Sequence, residues 1–335
     1  MTLRWGVLAP GKIARAFADD LALLPDMEIA AAGSRSLVNA TAFTQQYGGR
    51  AYGSYAELVA DPDVDVVYVA SPHSLHDEHS RLALDAGKPV LCEKPLALDA
   101  DTAAALCAYA RERGLFLMEA MWTACHPLIR VLLAGLAEGR FGTPRQVVAD
   151  LGFVVEAAPD SRMLDPALGA GALLDMGIYP ITLAHLVLGP PEEQRAVADV
   201  VGGVDFDVAV SARHGGGALS MSAASMTANS PRTATIATDT GLLDLGANFH
   251  HPQQVTWSPF DGRDKDAAGT VPVEELVPLE PVIGRGYGNE ALEVARCLDA
   301  GLLESGLVPH EQTVSIMRQL DGIRAQIGLQ YGRPL

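Results

Sequence analysis

Within its first fifteen residues the chain passes from an apolar run through a tight turn into a helix-forming pattern, RWGVLAPGKIAR, from Arg4 to Arg15. A strand that feeds a helix through a glycine turn places the helix's unpaired amides, and the positive end of its dipole, in front of the turn. Such an arrangement is a ready cradle for phosphate. Gly11 lets the backbone come close to a pyrophosphate, and the small Ala14 lets the new helix pack against its strand. The usual dinucleotide fingerprint also has a glycine at position 9, where this chain has Ala9 followed by Pro10. A tight turn of this kind also occurs in ordinary α/β proteins, so the residues that follow carry the discrimination.

They continue the alternation. A helix from Ile13 to about Leu24 leads to a strand at Glu28 to Ala32 that ends in Gly33-Ser34-Arg35-Ser36. About 20 positions after a glycine turn a carboxylate often takes the ribose hydroxyls, but here Ser34 and Arg35 stand in that place. A hydroxyl and a guanidinium suit a 2′-phosphate, so NADP is favoured over NAD. A solvent-facing arginine is the plain alternative. Helices over Ala40 to Tyr47 and Tyr55 to Ala60 precede the buried strand Val64 to Ala70. Its end carries Ser71-Pro72-His73-Ser74-Leu75-His76, with His79 three residues on. No cysteine or carboxylate completes a metal set by spacing, whereas the carboxyl end of a parallel strand is where such sheets bind ligands. Val90 to Cys92 is the next strand and presents Glu93-Lys94-Pro95. Asp99 is placed to cap the helix that runs to about Arg113. Leu115 to Met118 then closes a nucleotide-binding sheet by about residue 123.

From Pro144 the texture changes. Leu128 to Ala137 reads as a crossover helix, and then strand-like segments follow at Gln146 to Val155, Val197 to Arg213, Ala218 to Met226, Arg232 to Thr238 and Gly241 to Leu245. Short polar or glycine turns join them, with a hairpin turn at His214 to Gly217. One helix, Gly171 to Leu188, interrupts the strands, and two more close the chain, Asn289 to Leu303 and Glu311 to Gln330. The expected architecture is an α/β Rossmann domain, residues 1–123, followed by an α+β domain, residues 124–335, with a large, open, mostly antiparallel sheet. The terminal helices are expected to pack back on the first domain, and 261–269 is expected to be a surface loop.

At 335 residues there is room for two cores. The net charge of −17 argues against nucleic acid and anionic membranes as partners. The N-terminus lacks the pattern of a signal peptide, no uncharged apolar run of transmembrane length stands out, and the four cysteines show no ligand spacing, so a cytoplasmic, reducing location is expected. Lysine is rare: there are four, Lys12, Lys88, Lys94 and Lys265, and two of them lie in the segments just described.

Lys94, at the carboxyl edge of a nucleotide sheet, can hydrogen-bond a reacting hydroxyl or stabilise negative charge on it. Asp175 and Tyr179 are four apart on one helix, so a phenol and a carboxylate share a face. Packing alone explains that pair equally well, and packing is the reading for His185.

Three distant pieces then agree. The turn GVLAPGKIA, the tripeptide Glu93-Lys94-Pro95 and the segment GALLDMGIY together resemble the Gfo/Idh/MocA oxidoreductase family, over almost the whole chain. MEAMWTACHP, Tyr179 in place of the commoner histidine, and the ending through RAQIGLQYG are similar to its dimeric dihydrodiol dehydrogenases and NADP-dependent D-xylose dehydrogenases. The resemblance implies that Lys94 is the catalytic lysine and Tyr179 the acid/base, that Asp175 orients the reacting hydroxyl, and that Trp122 and Arg162 flank substrate. It also implies that Gly11, Lys12 and Ile13 meet the pyrophosphate and nicotinamide region, that Ser34 and Arg35 take the adenosine phosphate, and that Ser71, Pro72, His73, His76, Glu93 and Lys94 line the cofactor. The implied reaction moves hydride between a sugar or cyclic polyol carbinol and NADP, with no metal. Aldose 1-dehydrogenation is favoured; dihydrodiol oxidation, carbonyl or deoxyosone reduction, and a non-catalytic NADP-binding regulator are the alternatives. NAD remains open as cofactor, and a homodimer is implied.

Overall fold

The computed structural model describes residues 2–158, 161–260 and 273–331, so the expected surface loop at 261–269 lies outside the described residues. The chain divides into two compact units, Met1–Cys125 with Val282–Met317, and His126–Pro281 with Arg318–Leu335.

In the first unit, β1 (Leu3–Leu8), α1 (Lys12–Leu21), β2 (Met27–Gly33), α2 (Leu37–Tyr47), β3 (Arg50–Tyr52), α3 (Tyr55–Val59), β4 (Val66–Val69), α4 (His76–Asp85), β5 (Val90–Glu93), α5 (Ala100–Glu112) and β6 (Leu117–Ala120) alternate, and the short α6 (Trp122–Cys125) follows. The strands form one parallel sheet in the order β3-β2-β1-β4-β5-β6. The order reverses between β1 and β4, and ligands of such sheets bind beyond the carboxyl ends of the strands at that point. β4 and β5 are buried at every residue, as strands covered on both faces must be. Trp5, Phe17 and Tyr68 form the aromatic centre of the core. Trp5 meets Phe17 edge-on at 5.1 Å, and Phe17 stacks on Tyr68 at 4.1 Å.

The expected cap is present: Asp99 Oδ1 accepts from Thr102 N at 2.8 Å at the start of α5. Lys88 Nζ donates to the carbonyls of Asp61 and Val64, which gives that rare lysine a structural place. β3 escaped the sequence reading because three residues are too few to show a period.

The second unit contains α7 (Pro127–Ala137), β7 (Pro144–Gly152), a π-helical turn at Leu173–Gly177, α8 (Ile178–Leu188) and seven further strands. These are β8 (Pro191–Val201), β9 (Val204–His214), β10 (Leu219–Ser225), β11 (Thr233–Thr238), β12 (Gly241–Ala247), β13 (Thr256–Pro259) and β14 (Glu274–Glu275), and the sheet order is β14-β13-β12-β11-β7-β10-β9-β8. All pairs are antiparallel except β7 with β10.

Two expectations need correction here. Val197 to Arg213 is not one strand but parts of β8 and β9, which turn at Gly202 and Gly203 with φ of 61° and 82°. The apolar run on both sides of that glycine pair hid the turn. The helix expected from Gly171 is α-helical only from Ile178, after the π turn. Pro180 lacks the N–H that would bond the carbonyl of Met176, which frees the backbone just upstream.

One face of this sheet carries small and apolar side chains outward, among them Val148, Val197, Leu219 and Met221, which are 38 to 73% exposed. Pro166–Leu188 is the one segment among the described residues long and apolar enough to cross a bilayer; its most apolar 18 residues have mean hydropathy 1.5, and 72% of them are buried inside the fold.

After residue 281 the chain rejoins the first unit. α9 (Tyr287–Asp299) is capped by Asp20 of α1, whose Oδ2 accepts from the amides of Arg285, Gly286, Tyr287 and Gly288 at 2.8 to 3.4 Å. α10 (His310–Ile327) ends the described helices.

Candidate active site

The β1–α1 turn fits a dinucleotide phosphate. Gly11 has φ −86° and is exposed, and a Cβ there would meet only Ala9 O at 3.9 Å. Neither backbone nor packing demands glycine at this position; the missing side chain keeps open the approach to the first amides of α1. Among the described residues no side chain caps that helix, and Lys12 is exposed beside it. Ala9, in place of the usual glycine, takes φ 65°, a left-handed conformation unusual for alanine.

Beyond β2, Ser34 is buried and its Oγ accepts from Ser36 N at 3.2 Å, while Arg35 is exposed. Ser71, at the carboxyl end of β4, has a buried Oγ with no partner among the described residues. An orphaned buried hydroxyl beside the switch point is what a bound ligand would satisfy. Pro72 is half-buried and His73 buried next to it.

Lys94 follows directly on β5 and is 9% exposed. Three enclosed ionisable side chains hold the backbone around it. Glu93 Oε2 accepts from Lys94 N at 3.2 Å, His76 Nδ1 lies 2.7 Å from Pro95 O, and Glu119 Oε1 accepts from Leu96 N at 2.9 Å. The Lys94–Pro95 peptide is cis.

Each brace reaches elsewhere in the same unit. Tyr68 Oη donates to Glu93 Oε1, His76 Nε2 lies 2.8 Å from Ser71 O, and Thr313 Oγ1 donates to Glu119 Oε2 at 2.9 Å. His76 thus ties the end of β4 to the end of β5, and its complete burial pushes the imidazole down to about 4. Burial raises Glu119, and the hydrogen bonds from Thr313 and Leu96 N, with the nearby Lys94 charge after them, pull it part of the way back. Glu290 of α9 is fully buried with neither carboxyl oxygen partnered among the described residues. Burial first, then the charges of Glu93 and Asp20, hold it well above the usual carboxylate range. Trp122 is buried against Tyr287, with rings 4.3 Å apart and nearly parallel.

In the second unit, Asp175 sits half-buried in the π turn and Tyr179 is 8% exposed near the start of α8. Asp205 Oδ2 accepts from Leu173 N at 2.6 Å and so fixes the entry to that turn. Gly171, at φ 141°, leaves room for this carboxylate, since a Cβ would lie 1.9 Å from Oδ1. The ring of Tyr179 lies 5.0 Å from that of His250. His185 is buried with Nδ1 2.6 Å from Gln319 Nε2, a packed and bonded histidine. Arg162 is exposed in a 3₁₀ turn.

The sequence reading missed Tyr68, Glu119, Asp20, Asp205, His250 and Glu290. A carboxylate inside an apolar strand, as in LMEA at Leu117–Ala120, was the available signal for Glu119; the others answer to partners far away in sequence.

Known proteins match the chain over both units. Residues 3–121 match the oxidoreductase family with the NAD-binding Rossmann fold, and residues 129–244 match the Gfo/Idh/MocA C-terminal domain. The chain is 34% identical to a D-xylose 1-dehydrogenase (NADP(+)) of Hypocrea jecorina, over 98% of this chain and 93% of that one. It is also 34% identical to the mouse trans-1,2-dihydrobenzene-1,2-diol dehydrogenase, over 99% and 98%. Among solved structures, KijD10, a 3-ketoreductase from Actinomadura kijaniata in complex with NADP and TDP-benzene, superposes with a TM-score of 0.83 at 29% identity, covering 98% of each chain. With a phosphate-ready turn, a braced lysine after the fifth strand and matches that span both units, the chain belongs to the Gfo/Idh/MocA family of NAD(P)-dependent oxidoreductases.

Proposed function

We propose that this protein is an NADP-dependent aldose 1-dehydrogenase, with D-xylose as the leading substrate. At the coarser level it is an NADP-dependent oxidoreductase acting on sugar- or cyclic polyol-like carbinols. The observation that carries the reading is Lys94: one of only four lysines, 9% exposed, it stands at the carboxyl edge of the nucleotide sheet on a backbone held at three successive residues. The D-xylose and dihydrodiol enzymes at 34% identity, and the NADP-bound ketoreductase, support the substrate class and cofactor.

Bound NADP supplies the hydride acceptor, and reduction of a carbonyl is the same path reversed. Gly11, Lys12 and Ile13 hold the pyrophosphate region, Ser34 and Arg35 the adenosine phosphate, and Ser71, Pro72, His73 and Glu93 line the cofactor. His76 braces the two loops that carry them. Tyr179 takes the carbinol proton, Asp175 orients the hydroxyl, and the ammonium of Lys94 stabilises the developing alkoxide charge. Proton uptake by a phenolate is favoured as pH rises, so the rate of carbinol oxidation is expected to rise with pH. Trp122 and Arg162 are assigned to the substrate wall.

The open sheet face around Val148, Val197 and Met221 is the surface we assign to a homodimer, which light scattering on the purified protein tests. A cytoplasmic location completes the reading.

The test of function is the initial rate of reduced-cofactor formation on D-xylose, D-glucose, other aldoses, cyclic polyols and benzene dihydrodiol, with NADP and NAD in parallel. Turnover of D-xylose with NADP preferred supports the proposal. Turnover confined to the dihydrodiol replaces the substrate, and silence across the panel with NADPH bound favours carbonyl reduction or the regulator.

A further inference from the structure

At the carboxyl end of β2 the chain is drawn against the turn that opens α3. Ser34 N donates to Tyr52 O at 3.2 Å, and a Cβ on Gly33 would lie 3.1 Å from Ser54 O. Tyr55, the first residue of α3, is half-buried, and its ring meets that of His79 of α4 edge-on, with centroids 4.6 Å apart. These contacts bring the Ser34-Arg35 loop and the first turn of α4 to one edge of the parallel sheet, the edge at which such sheets bind ligands. His79 is 6% exposed. Its Nδ1 is enclosed with no partner among the described residues, so Nε2 is the nitrogen left open to a ligand. Burial lowers the imidazole; the charge of Glu78 raises it and that of Arg35 lowers it. The ring is therefore neutral at neutral pH, and its one proton belongs on Nε2, because an N–H at the enclosed Nδ1 would have no acceptor.

We propose that His79 determines cofactor choice by donating from Nε2 to the 2′-phosphate of NADP, an inference that rests on the reading of Ser34 and Arg35 as the adenosine-phosphate site. The two donors are complementary. Arg35 is exposed and brings a full charge, whereas His79 is buried against Tyr55 and brings a fixed direction. The charge of Arg35 reaches the His79 ring, so both groups act on the same neighbourhood, and a phosphate dianion has oxygens enough to accept from each. The carboxylate recorded beside the ring, Glu78, is exposed, and the imidazole of His76 lies one turn back on α4 with both nitrogens at backbone carbonyls. NAD has a hydroxyl where NADP has the phosphate. An N–H bond to a neutral hydroxyl is about half as strong as one to an anion, so removing this donor falls mainly on NADP.

The test is calorimetric titration of the whole protein with adenosine 2′,5′-bisphosphate and adenosine 5′-monophosphate, which differ by the 2′-phosphate alone, and with NADP and NAD. The wild type is compared with His79→Phe, His79→Gln and Arg35→Ala. His79→Phe keeps a ring against Tyr55 and removes the donor, and His79→Gln returns an N–H. The proposal predicts that His79→Phe weakens the bisphosphate and NADP by about tenfold, changes the monophosphate and NAD by less than about twofold, and that His79→Gln recovers most of the loss. Where His79→Phe does not fold, His79→Met also removes the donor and is read in its place. Equal losses for the two members of each pair mean a ring that packs on adenine and overturn the proposal, as does wild-type affinity in His79→Phe. A wild type that binds the monophosphate as tightly as the bisphosphate, or Arg35→Ala with wild-type NADP affinity, instead overturns the adenosine-phosphate reading and the proposal with it.

Discussion

Replacing Asp205 with asparagine should make the protein's stability less dependent on pH, in a direction and amount that follow from its surroundings. The carboxylate is fully buried, accepts one short hydrogen bond from Leu173 N, and has its Oδ1 without a partner among the described residues. Burial outweighs that bond, and the smaller lowering by its own amide and the Tyr331 hydroxyl, and pushes the group from 3.8 up to about 7. The folded state therefore binds the proton more tightly than the unfolded chain. This contribution to stability is fully present below the unfolded pKa of 3.8, is lost as pH rises through about 7, and is constant above that. A gap of about three units at 1.36 kcal/mol each amounts to about 4 kcal/mol. Asparagine has nearly the shape of the protonated acid and does not titrate. Urea unfolding of both proteins at a series of pH values from about 4 to about 8 gives their stability difference, in which other titrating groups cancel. The variant should gain on the wild type by about 4 kcal/mol across that range, with a slope of up to about 1.4 kcal/mol per pH unit. A difference that is flat with pH, or that grows in favour of the wild type, would refute the argument that burial dominates at this site.

Other changes have equally specific outcomes. Asp20→Ala removes the acceptor from four amides at the start of α9 and should cost about 2–3 kcal/mol in urea unfolding, with amide exchange quickened first at residues 285–288. Arg35→Ala should weaken NADP binding by about ten- to a hundredfold and leave NAD binding nearly unchanged, as calorimetric titration with both cofactors would show. Ala9→Gly relieves a left-handed alanine by about 1 kcal/mol but adds nearly as much freedom to the unfolded chain, so its melting temperature should barely move. Ala9→Val, which is β-branched at a positive φ, should lower it clearly.

The Rossmann half was readable because its strands are continuous apolar runs bounded by glycine, proline and cap residues: VVYV at Val66–Val69 and the cap at Asp99 are local signals. Lys94 was legible for its rarity and its place after a strand. Its bracing was not, because Glu93, His76 and Glu119 come together only when β4, β5 and β6 lie side by side. The same holds for Asp205, which meets Leu173 thirty-two positions away. In the second unit the sheet was legible from alternation, as on β9 and β10, but the turn at Gly202-Gly203 was masked by valines on both sides. The π turn at Leu173–Gly177 has no periodicity that separates it from an α-helix in sequence, although Pro180 marked the place.

The central claim is that Lys94 and Tyr179 serve one chemical step. A double-mutant cycle of Lys94→Met and Tyr179→Phe, read as kcat with NADPH affinity measured separately, tests it most directly. The account predicts that each single change lowers kcat by about a hundredfold to ten-thousandfold, that the double change lowers it little further, and that NADPH affinity falls far less. Near-normal kcat in either single variant, or losses that simply multiply in the double variant, would contradict it.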